Sequence, residues 1–415
     1  MNGMEVSMTT GITVSVCTSV EEVVEALSPI SHYFGNQPTV ENADRFVKVL
    51  PVDRMHLARD GERAVGGAGA FPFEMTTPGG MVPAAGVTVV GVLPTDRRRG
   101  ILSQLMRAQL DDIHARKEPV AYLWASEETI YGRYGYGLAS WALEAEIPKP
   151  GAFARPAESV SRLEMVSEED ALSLFPQVYD RVRPSHPGMF SRTEDWWRNR
   201  RLADPPERRG GGGVLNRVLL RIDGEPMGYA TYRVHQNLDA GVTKGHVSVI
   251  EALGASPEAT RDLWRFLLDI DWVARVKVGL LALDHPLLHL LARPRTANLK
   301  MIDALWVRLV DVEVALRART YGAGGGATPV VFEVVDPFCP RNDGRYQVGP
   351  DGARRTDAAP DLRLDVSGLG AAYLGQTKFE SLRSVRLVEE LSEGAIRRAD
   401  ALFAADRAPW CPEIF

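Results

Sequence analysis

The pattern of apolar residues is clearest between Val87 and Ile113. The β-branched run Val87–Val92 favours an extended strand, and Pro94 ends it because proline has no N–H to donate to a sheet. From Ile101 onward, apolar residues recur at helical spacing and form one apolar face. Three arginines and a glycine lie between the two patterns. This stretch is therefore predicted to be a strand, a basic turn and a helix.

The rest of the first third predicts a mixed α/β domain over residues 11–147. Helices are expected from Val20 onward and over Val40–Val49. Strands are expected at five further stretches, the last of which would close the domain: Ile12–Cys17, Asp53–Arg59, Ala64–Phe73, Val120–Trp124 and Trp141–Ile147. Strands and helices mixed in this order are typical of a compact α/β domain.

Two further units are predicted after this domain. A proline-rich break begins at Pro148, and the second unit is expected over residues 148–306. Its three strands and the helix Pro257–Ile270 repeat the order of the first domain without a basic turn. The third unit, residues 307–415, has strands and helices that suit a sheet covered on one face. The predicted fold class is therefore α/β, with a C-terminal α+β unit.

Composition and charge narrow the function classes. The chain has 415 residues, 45% of them hydrophobic and 25% charged, as is ordinary for a globular protein. Its formal net charge of −6 argues against general binding to nucleic acid or to a membrane surface. No apolar run reaches the roughly 20 residues of a membrane helix, and no secretory signal pattern is present. We therefore expect a cytoplasmic location.

Cysteines and histidines give no reason to expect a metal or a disulfide. Cys17, Cys339 and Cys411 are widely spaced and form no C-x-x-C pair. His285 and His289 are four residues apart but belong to no H-E-x-x-H motif. No metal site is predicted.

The basic turn is suited to binding an anion. A helix N-terminus presents unpaired N–H groups and partial positive charge. Gly100 permits close approach of the backbone, and Arg97, Arg98 and Arg99 provide charge-assisted donors. The expected guest is a pyrophosphate or a similar polyanion. The alternative is an ordinary solvated basic turn. No G-K-[ST] follows, which excludes a Walker loop, and no G-x-G-x-x-G is present here.

The residues of this turn resemble the pyrophosphate loop of the GCN5-related N-acetyltransferases (GNATs). The pattern Q/R-x-x-G-x-G/A corresponds to Arg97–Leu102, with Leu102 in place of the final small residue. The segment ASEETIYGRYGYG, which ends at Gly137, resembles the Eis (enhanced intracellular survival) family, and the resemblance runs nearly end to end. It implies two GNAT folds in tandem, the second lacking the cofactor loop, then a sterol-carrier-like domain. It also implies a homo-hexamer.

The resemblance implies acetyl-CoA as the co-substrate. In the family, a strand splayed from its neighbour leaves backbone N–H groups that bind the pantetheine arm and the thioester carbonyl. The basic loop binds the pyrophosphate, and a serine lies nearby. The matching positions in this chain are Val90, Val92, Arg97, Arg98, Gly100, Ile101 and Ser126.

The resemblance also implies the acid and the base. Acetyl transfer from a thioester needs a neutral amine and a proton for the departing thiolate. Tyr131 aligns with the family's catalytic tyrosine, and a phenol of pKa about 10 stays protonated at neutral pH. From the residues alone, Tyr134 and Tyr136 compete equally with Tyr131, and most buried tyrosines are packing residues. The family's base is the C-terminal carboxylate, here that of Phe415. Without the resemblance, this apolar end would be interpreted as a domain-docking tail.

Three residues are assigned to the acceptor side. Phe34 aligns with an aromatic wall residue, and Asn36 falls where aminoglycoside-acetylating members have an aspartate. Loss of that charge weakens attraction to ammonium groups, although Glu413 and the C-terminal carboxylate can supply some. The alternative for Phe34 and Asn36 is a helix end, because Gly35 and Asn36 are common there.

These assignments predict an acetyl-CoA-dependent N-acetyltransferase that acts directly in a ternary complex. The expected acceptors are amines of polycationic small molecules, with aminoglycosides as the leading class. Cys17 and Cys339 lie outside the motifs and give no reason to propose a covalent intermediate. A protein lysine or a polyamine is the alternative acceptor. A non-catalytic acyl-CoA-binding or lipid-binding module is the alternative from a different class.

Overall fold

In the part of the chain that the structure describes, the framework consists of two seven-stranded sheets, one five-stranded sheet and a small two-stranded ribbon. The computed structural model describes residues 11–155, 158–322 and 328–415. The two large sheets and the five-stranded sheet each have helices packed against them. The predicted organisation into two α/β units and a C-terminal α+β unit is therefore confirmed.

The first part of the chain contains the predicted strand, turn and helix. Its strands are β1 (Ile12–Val16), β2 (Met55–Asp60), β3 (Arg63–Thr77), β4 (Gly80–Val92), β5 (Val120–Trp124), β6 (Gly137–Leu138) and β7 (Trp141–Pro148). Its helices are α1 (Val20–Tyr33), α2 (Val40–Phe46), α3 (Ile101–Ala115) and α4 (Glu128–Tyr131). The bounds of β5 and the start of α3 agree with the prediction. Strand β4 begins at Gly80 rather than Val87, because the long ladder with β3 extends it through residues of weak strand propensity.

The second part carries the predicted repeat of strands followed by a helix. Its strands are β8 (Arg162–Met165), β9 (Asn216–Ile222), β10 (Glu225–His235), β11 (Leu238–Asp239), β12 (Val242–Thr243), β13 (His246–Gly254), β14 (Arg275–Leu281), β15 (Lys300–Asp303) and β16 (Leu305–Leu309). Its helices are α5 (Glu168–Val182), α6 (Glu194–Trp196), α7 (Pro257–Asp269), α8 (Leu287–Leu290) and α9 (Val312–Arg317). A π-helical turn, Trp197–Arg201, continues α6.

The third part is a five-stranded sheet with helices against it. Its strands are β17 (Val330–Val335), β18 (Gly344–Gly349), β19 (Gly352–Arg355), β20 (Leu362–Asp365) and β21 (Val388–Glu390), and its helices are α10 (Val366–Ala372), α11 (Phe379–Ser384) and α12 (Ala395–Phe403). The rings of Phe379 on α11 and Phe403 on α12 contact Phe332 of β17, at 5.3 and 5.6 Å between centroids. These contacts fit the predicted helical cover.

The two large sheets exchange strands, which corrects the predicted boundaries 147/148 and 306/307. The first sheet has the order β1-β2-β3-β4-β5-β16-β6, and the second has the order β15-β7-β14-β13-β10-β9-β8. Strand β7, predicted to close the first sheet, therefore lies in the second. Strand β16, most of which was assigned to the third unit, lies between β5 and β6 of the first. Partners this far apart in sequence are not specified by local pattern.

The last residues, 404–415, form a tail that leads back from α12 to the first sheet. The backbone N–H of Trp410 donates to the carbonyl oxygen of Pro187 at 2.7 Å. The indole N–H of Trp410 donates to the carbonyl of Leu280 at 3.0 Å. The ring of Phe415 is buried 5.2 Å from that of Phe73 on β3. The tail thus contacts the second part of the chain before it reaches the first.

Candidate active site

Strands β4 and β5 separate in the middle of the first sheet. They pair in parallel from Ala84–Val120 to Gly86–Tyr122, and β4 then continues to Val92. Beyond Gly86, this edge of β4 faces a gap instead of a neighbouring strand. The splayed strand implied by the resemblance is therefore present.

The backbone of β4 is distorted beside the gap. Val89 and Val90 lie in a bulge of the β3–β4 ladder, and Val89 has a φ of 48°, a left-handed conformation unusual for a β-branched residue. Leu93 N–H donates to the carbonyl of Val65 at 2.9 Å, so the alternation of an antiparallel ladder turns the amide of Val92 away from β3. The carbonyl of Val92 accepts a hydrogen bond from the Tyr33 hydroxyl at 2.9 Å on that side. The Val92 N–H is thereby directed into the gap.

The three arginines of the basic turn have different environments. Arg99 donates to Asp60 at 2.8 Å and to Asp96 at 2.7 Å. Arg63 also holds Asp96 through two 2.8 Å bonds, and these guanidinium contacts keep the pKa of the buried Asp96 well below its usual range. Arg99 thus holds the turn in place and is less available to an anion than its position in the basic run suggests. The resemblance assigns only Arg97 and Arg98 to the pyrophosphate. Arg97 and Arg98 are exposed and make no ion pair with a described carboxylate.

The N-terminus of α3 is open above the turn. Gly100 is its cap residue, with a φ of 78°, and no side chain in the described part of the chain caps the helix by a hydrogen bond. No atom of the described residues lies within 4 Å of a Cβ built on Gly100, so the backbone at the start of α3 faces open space. The side chain of Ile101 is buried in the core, and only its backbone is available to a ligand. This geometry fits a pyrophosphate at the helix N-terminus.

The structure distinguishes the three competing tyrosines. The hydroxyl of Tyr134 is 3.1 Å from Ser103 Oγ. Tyr136 is fully buried, and its hydroxyl has no hydrogen-bond partner among the residues that the structure describes. Tyr131, at the end of α4, is 8% exposed, and its ring centroid is 5.8 Å from that of Tyr136. Burial raises the pKa of Tyr131 to about 12, with a smaller contribution from Tyr134. Ser126, just after β5, is exposed.

Phe415 occupies an aromatic socket beside the gap. Its ring centroid lies 4.9 Å from Tyr122, 5.2 Å from Phe73 and 5.6 Å from Phe190. Sequence reasoning missed the socket because its residues come from β3, β5 and the loop before α6. The only local signal is their aromatic character, which core residues share.

Tyr131 and Phe415 lie on opposite faces of the first sheet. Side chains alternate along β5, so Tyr122 packs in the cluster of Phe415 while Leu123 packs in the cluster of Tyr131. The β4–β5 gap lies between these two clusters. An acid and a base at these positions approach the gap from different sides.

Phe34 and Asn36 form the end of α1, as the alternative interpretation stated. Phe34 is the cap residue, Gly35 has a φ of 66°, and Asn36 N–H donates to the carbonyl of Ser31 at 3.1 Å. Phe34 is nevertheless 66% exposed, and the neighbouring Tyr33 reaches Val92 beside the gap. The helix end therefore lies close to the candidate site.

Glu413 is not available as a charge for a substrate. Its carboxylate is buried, 2.8 Å from Arg192 Nη2 and 3.0 Å from the indole N–H of Trp196. The expectation that Glu413 attracts ammonium groups is corrected, because its charge is already neutralised. Arg192 and Trp196 are functional candidates that carried no signal in the sequence.

The second part of the chain has a similar strand gap without a basic turn. Strands β13 and β14 pair in parallel from His246–Arg275 to Val249–Val278 and then separate. The Ser256 side chain accepts from an N–H of α7, and a Cβ on Gly254 would lie 2.4 Å from a backbone nitrogen. This helix N-terminus offers no room for an anion.

The described ranges, 11–155, 158–322 and 328–415, offer neither a metal-binding cluster nor a helix that could span a membrane. No group of three or more His, Cys, Asp or Glu side chains there is placed to hold a metal ion. No helix there combines the length and apolar character needed to cross a membrane.

Comparisons with known families also divide the chain into three parts. Residues 18–139 and 188–309 match models described as acetyltransferase (GNAT) domains, and residues 312–412 match a sterol carrier protein domain. An N-acetyltransferase of Streptomyces avermitilis is 43% identical over 382 residues, covering 90% of this chain and 92% of its own length. N-acetyltransferase Eis of Mycobacterium tuberculosis is 32% identical over 421 residues, covering 95% and 98%.

A solved structure extends this likeness to three dimensions. Eis1 from Mycobacterium abscessus has a TM-score of 0.83 and 35% identity, and the match covers 97% of this chain and 100% of that one. Sequence identity of this extent, across all three domains, shows that the chain belongs to the Eis family of GNAT N-acetyltransferases.

Proposed function

We propose that this N-acetyltransferase moves the acetyl group of acetyl-CoA directly to an amine of a small molecule. Tyr131 serves as general acid, and the α-carboxylate of Phe415 serves as general base. The observation that carries the proposal is the position of these two residues on opposite faces of the sheet at the β4–β5 gap. A reaction with a leaving sulfur on one side and an attacking amine on the other needs its acid and base separated in this way.

Two features support binding of acetyl-CoA: exposed positive charge in the basic turn and open space at the start of α3. The exposed guanidinium groups of Arg97 and Arg98 and the uncapped N–H groups of α3 suit a pyrophosphate. Gly100 leaves room above these donors. The amide of Val92, directed into the gap, suits the pantetheine arm or the thioester carbonyl. When bound, acetyl-CoA supplies the activated acetyl group.

Two protons move in the proposed reaction. The Phe415 carboxylate takes one from the amine nitrogen as the N–C bond forms, and the Tyr131 phenol gives one to the sulfur as the C–S bond breaks. Solvent then restores both groups, so the products are an N-acetyl amine and a thiol. The raised pKa of Tyr131 keeps its phenol protonated at neutral pH. The role of Phe415 applies to a protein that ends at this residue, which an intact-mass measurement establishes.

Aminoglycosides are the first acceptor class to test, on the ground of family membership. Asn36 carries no charge, and Glu413 is paired with Arg192. Neither residue attracts an ammonium group, so we expect weaker binding of a polycation than a site with acidic residues would give. The exposed ring of Phe34 remains as an apolar wall. A polyamine or a protein lysine is the second acceptor class.

The test is thiol release from acetyl-CoA with kanamycin, tobramycin, spermidine and a lysine peptide as acceptors. We expect amine-dependent release that falls about 100-fold or more in Tyr131→Phe, within the usual range for loss of a general acid. Tyr134→Phe, which removes a hydroxyl bound to Ser103, is the matched control and keeps most of the activity. Binding of acetyl-CoA without release with any amine would favour the non-catalytic binding module. An unchanged rate in Tyr131→Phe would exclude this tyrosine as the acid.

A further inference from the structure

The tail, residues 404–415, is anchored to the second part of the chain, called the second domain from here on, before it enters the aromatic socket. Trp410 is the first anchor. Its backbone N–H donates to Pro187 and its indole N–H donates to Leu280 of β14. The ring of Trp410 also lies 5.6 Å from that of His186 and 6.4 Å from that of His285. The second domain therefore holds this part of the tail by hydrogen bonds and by ring contacts.

Trp410 binds the second domain where β13 and β14 separate, which corresponds to the β4–β5 gap of the first domain. Pairing of β13 with β14 ends at Val249–Val278, and Leu280 follows on the separated end of β14. The indole of Trp410 thus bonds to the backbone where the first domain leaves its gap open. Together with the capped N-terminus of α7, this indicates that the second domain uses its gap to bind the tail.

Glu413 is the second anchor, and its partner is fully buried. The side chain of Arg192 is 0% exposed and bridges Glu413 at 2.8 Å and Glu251 at 2.7 Å. Glu251 is also held by Arg201 at 3.1 Å and by the Tyr229 hydroxyl at 2.6 Å. Each of the two carboxylates is thus in direct contact with at least one guanidinium group. A buried charge of this kind is tolerated only when it is paired, so the network requires Glu413 at this place.

Trp196 connects the second anchor to the socket. Its indole N–H donates to Glu413 at 3.0 Å, and its ring centroid is 5.0 Å from Phe73 and 5.2 Å from Phe190. Both phenylalanines contact Phe415. Only Ile414 separates the anchored residue from Phe415, and two residues of chain span at most about 7 Å. Fixing Glu413 therefore confines Phe415.

We propose that the second domain holds the tail in place. Arg192 and Trp196 are positioning residues, which act through Glu413 to keep Phe415 at the β4–β5 gap. This inference rests on the proposed function for its catalytic consequence only. The anchoring itself is independent of the reaction.

The test is Glu413→Gln, with thiol labelling of Cys411 as a readout of tail release. Cys411 is 1% exposed, and burial raises the pKa of its thiol to about 12, so it reacts slowly while the tail is docked. We expect the variant to raise the labelling rate of Cys411 about tenfold or more, with kcat reduced by a similar factor and KM for acetyl-CoA unchanged. Cys17 and Cys339, both buried, report any general unfolding through their own labelling rates.

Arg201→Gln is the matched control. Arg201 belongs to the same buried network but contacts Glu251 and the carbonyl of Ile250, not the tail. We expect it to lower the melting temperature without exposing Cys411 or lowering kcat. Glu413→Asp should restore part of the protection and of kcat.

The outcomes separate the two proposals. Unchanged Cys411 labelling in Glu413→Gln would overturn the anchoring. Faster Cys411 labelling with unchanged kcat would overturn the positioning role and the use of Phe415 as base, while leaving the anchor in place. Faster labelling in a protein that acetylates no tested amine would support the anchor and count against the proposed function alone.

Discussion

Gly86 of β4 and Tyr122 of β5 form the last residue pair before the two parallel strands separate. A Cβ built on Gly86 would lie 2.3 Å from Cε2 of Phe73 and 3.2 Å from Cε2 of Phe415. The point where the gap opens is therefore also the point where the end of the tail packs. One pair of residues fixes both the cofactor side and the base side of the proposed site.

Gly86→Ala tests this relationship. The Phe73 ring has little freedom to move aside, because it stacks on Phe190 at 4.1 Å between centroids. The added methyl group should therefore displace the rings of the socket, including that of Phe415. We expect kcat to fall about tenfold to 100-fold, since small misplacements of reacting groups have effects of this size. The KM for acetyl-CoA should change less than kcat, because the displaced rings lie on the face of the sheet that Phe415 occupies, whereas the basic turn follows the far end of β4.

Gly279→Ala is the control for Gly86→Ala. Gly279 also lies in a central strand, and a Cβ there would have no atom of the described ranges within 4 Å. Full activity is expected for this variant. A Gly86→Ala protein with the kcat of the parent would show that the socket has no part in catalysis.

The double variant Arg97→Ala, Arg98→Ala tests the anion site. Each charge-assisted bond to a phosphate contributes about 1.5–3 kcal/mol, so we expect KM for acetyl-CoA to rise about 100-fold or more. The effect should disappear with acetyl-pantetheine, which lacks the pyrophosphate. Steady-state kinetics with both thioesters measures the difference. A loss of equal size with acetyl-pantetheine would rule out pyrophosphate binding by these arginines.

Arg99→Ala should behave differently, because this guanidinium holds Asp60 and the buried Asp96. We expect a lower melting temperature and a modest rise in KM, since Arg63 still pairs with Asp96. Thermal denaturation followed by circular dichroism measures the first effect. A variant with unchanged stability and a KM raised as much as in the double variant would assign Arg99 to the ligand.

Local sequence patterns predicted the part of the fold that surrounds the turn. Strand β5 and the start of α3 are specified by apolar periodicity and by a glycine at the helix start, which are local features. The exchange of β7 and β16 between sheets depends on pairing between strands about 130 to 190 residues apart, for which the sequence carries no local mark. Predicting that Trp141–Ile147 closes the first sheet was wrong for this reason.

The sequence predicted the acetyl-CoA side of the candidate site better than the acceptor side. Most positions that the resemblance assigns to acetyl-CoA lie on the continuous segment 90–101, so a motif could identify them, and only Ser126 lies elsewhere. The acceptor side combines β3, β5, the loop before α6 and the tail, and only tertiary packing brings these together. Arg192 looked like any loop arginine, and Glu413 like an exposed terminal charge. Their partnership depends on burial, which a single sequence does not reveal.

The pH dependence of acetyl transfer reports on Tyr131. A general acid acts only while protonated, and activity is lost as the pH rises through its pKa. Because burial raises that pKa to about 12, we expect no alkaline decline due to Tyr131 up to about pH 10. Replacing Tyr131 with a ring-fluorinated tyrosine, whose phenol is more acidic, should bring a declining limb into the measurable range. An alkaline decline that fluorination does not move would belong to another group.

The stability of the tail-binding region should decrease in mild acid because of His285. Burial lowers the pKa of this imidazole to about 4, and its Nδ1 accepts from the N–H of Leu287 at 3.1 Å, which fixes a neutral ring. In the unfolded chain the pKa is about 6.5, so between pH 6.5 and pH 4 the unfolded state binds more protons. Stability therefore falls as the pH falls through this window, by about 3 kcal/mol in total.

Urea denaturation at pH 7.5 and at pH 5 measures this effect. His285→Gln should be less stable than the parent at pH 7.5, because the ring packs against Trp264 and near Trp410, but its stability should depend less on pH. Some dependence will remain, since burial also lowers the pKa of His186. His289→Gln, which changes an exposed histidine on α8 just after His285, is the matched control and should keep the full pH dependence. If the free energy of unfolding of His285→Gln depended on pH as strongly as that of the parent, His285 would have the same pKa in the folded and unfolded states.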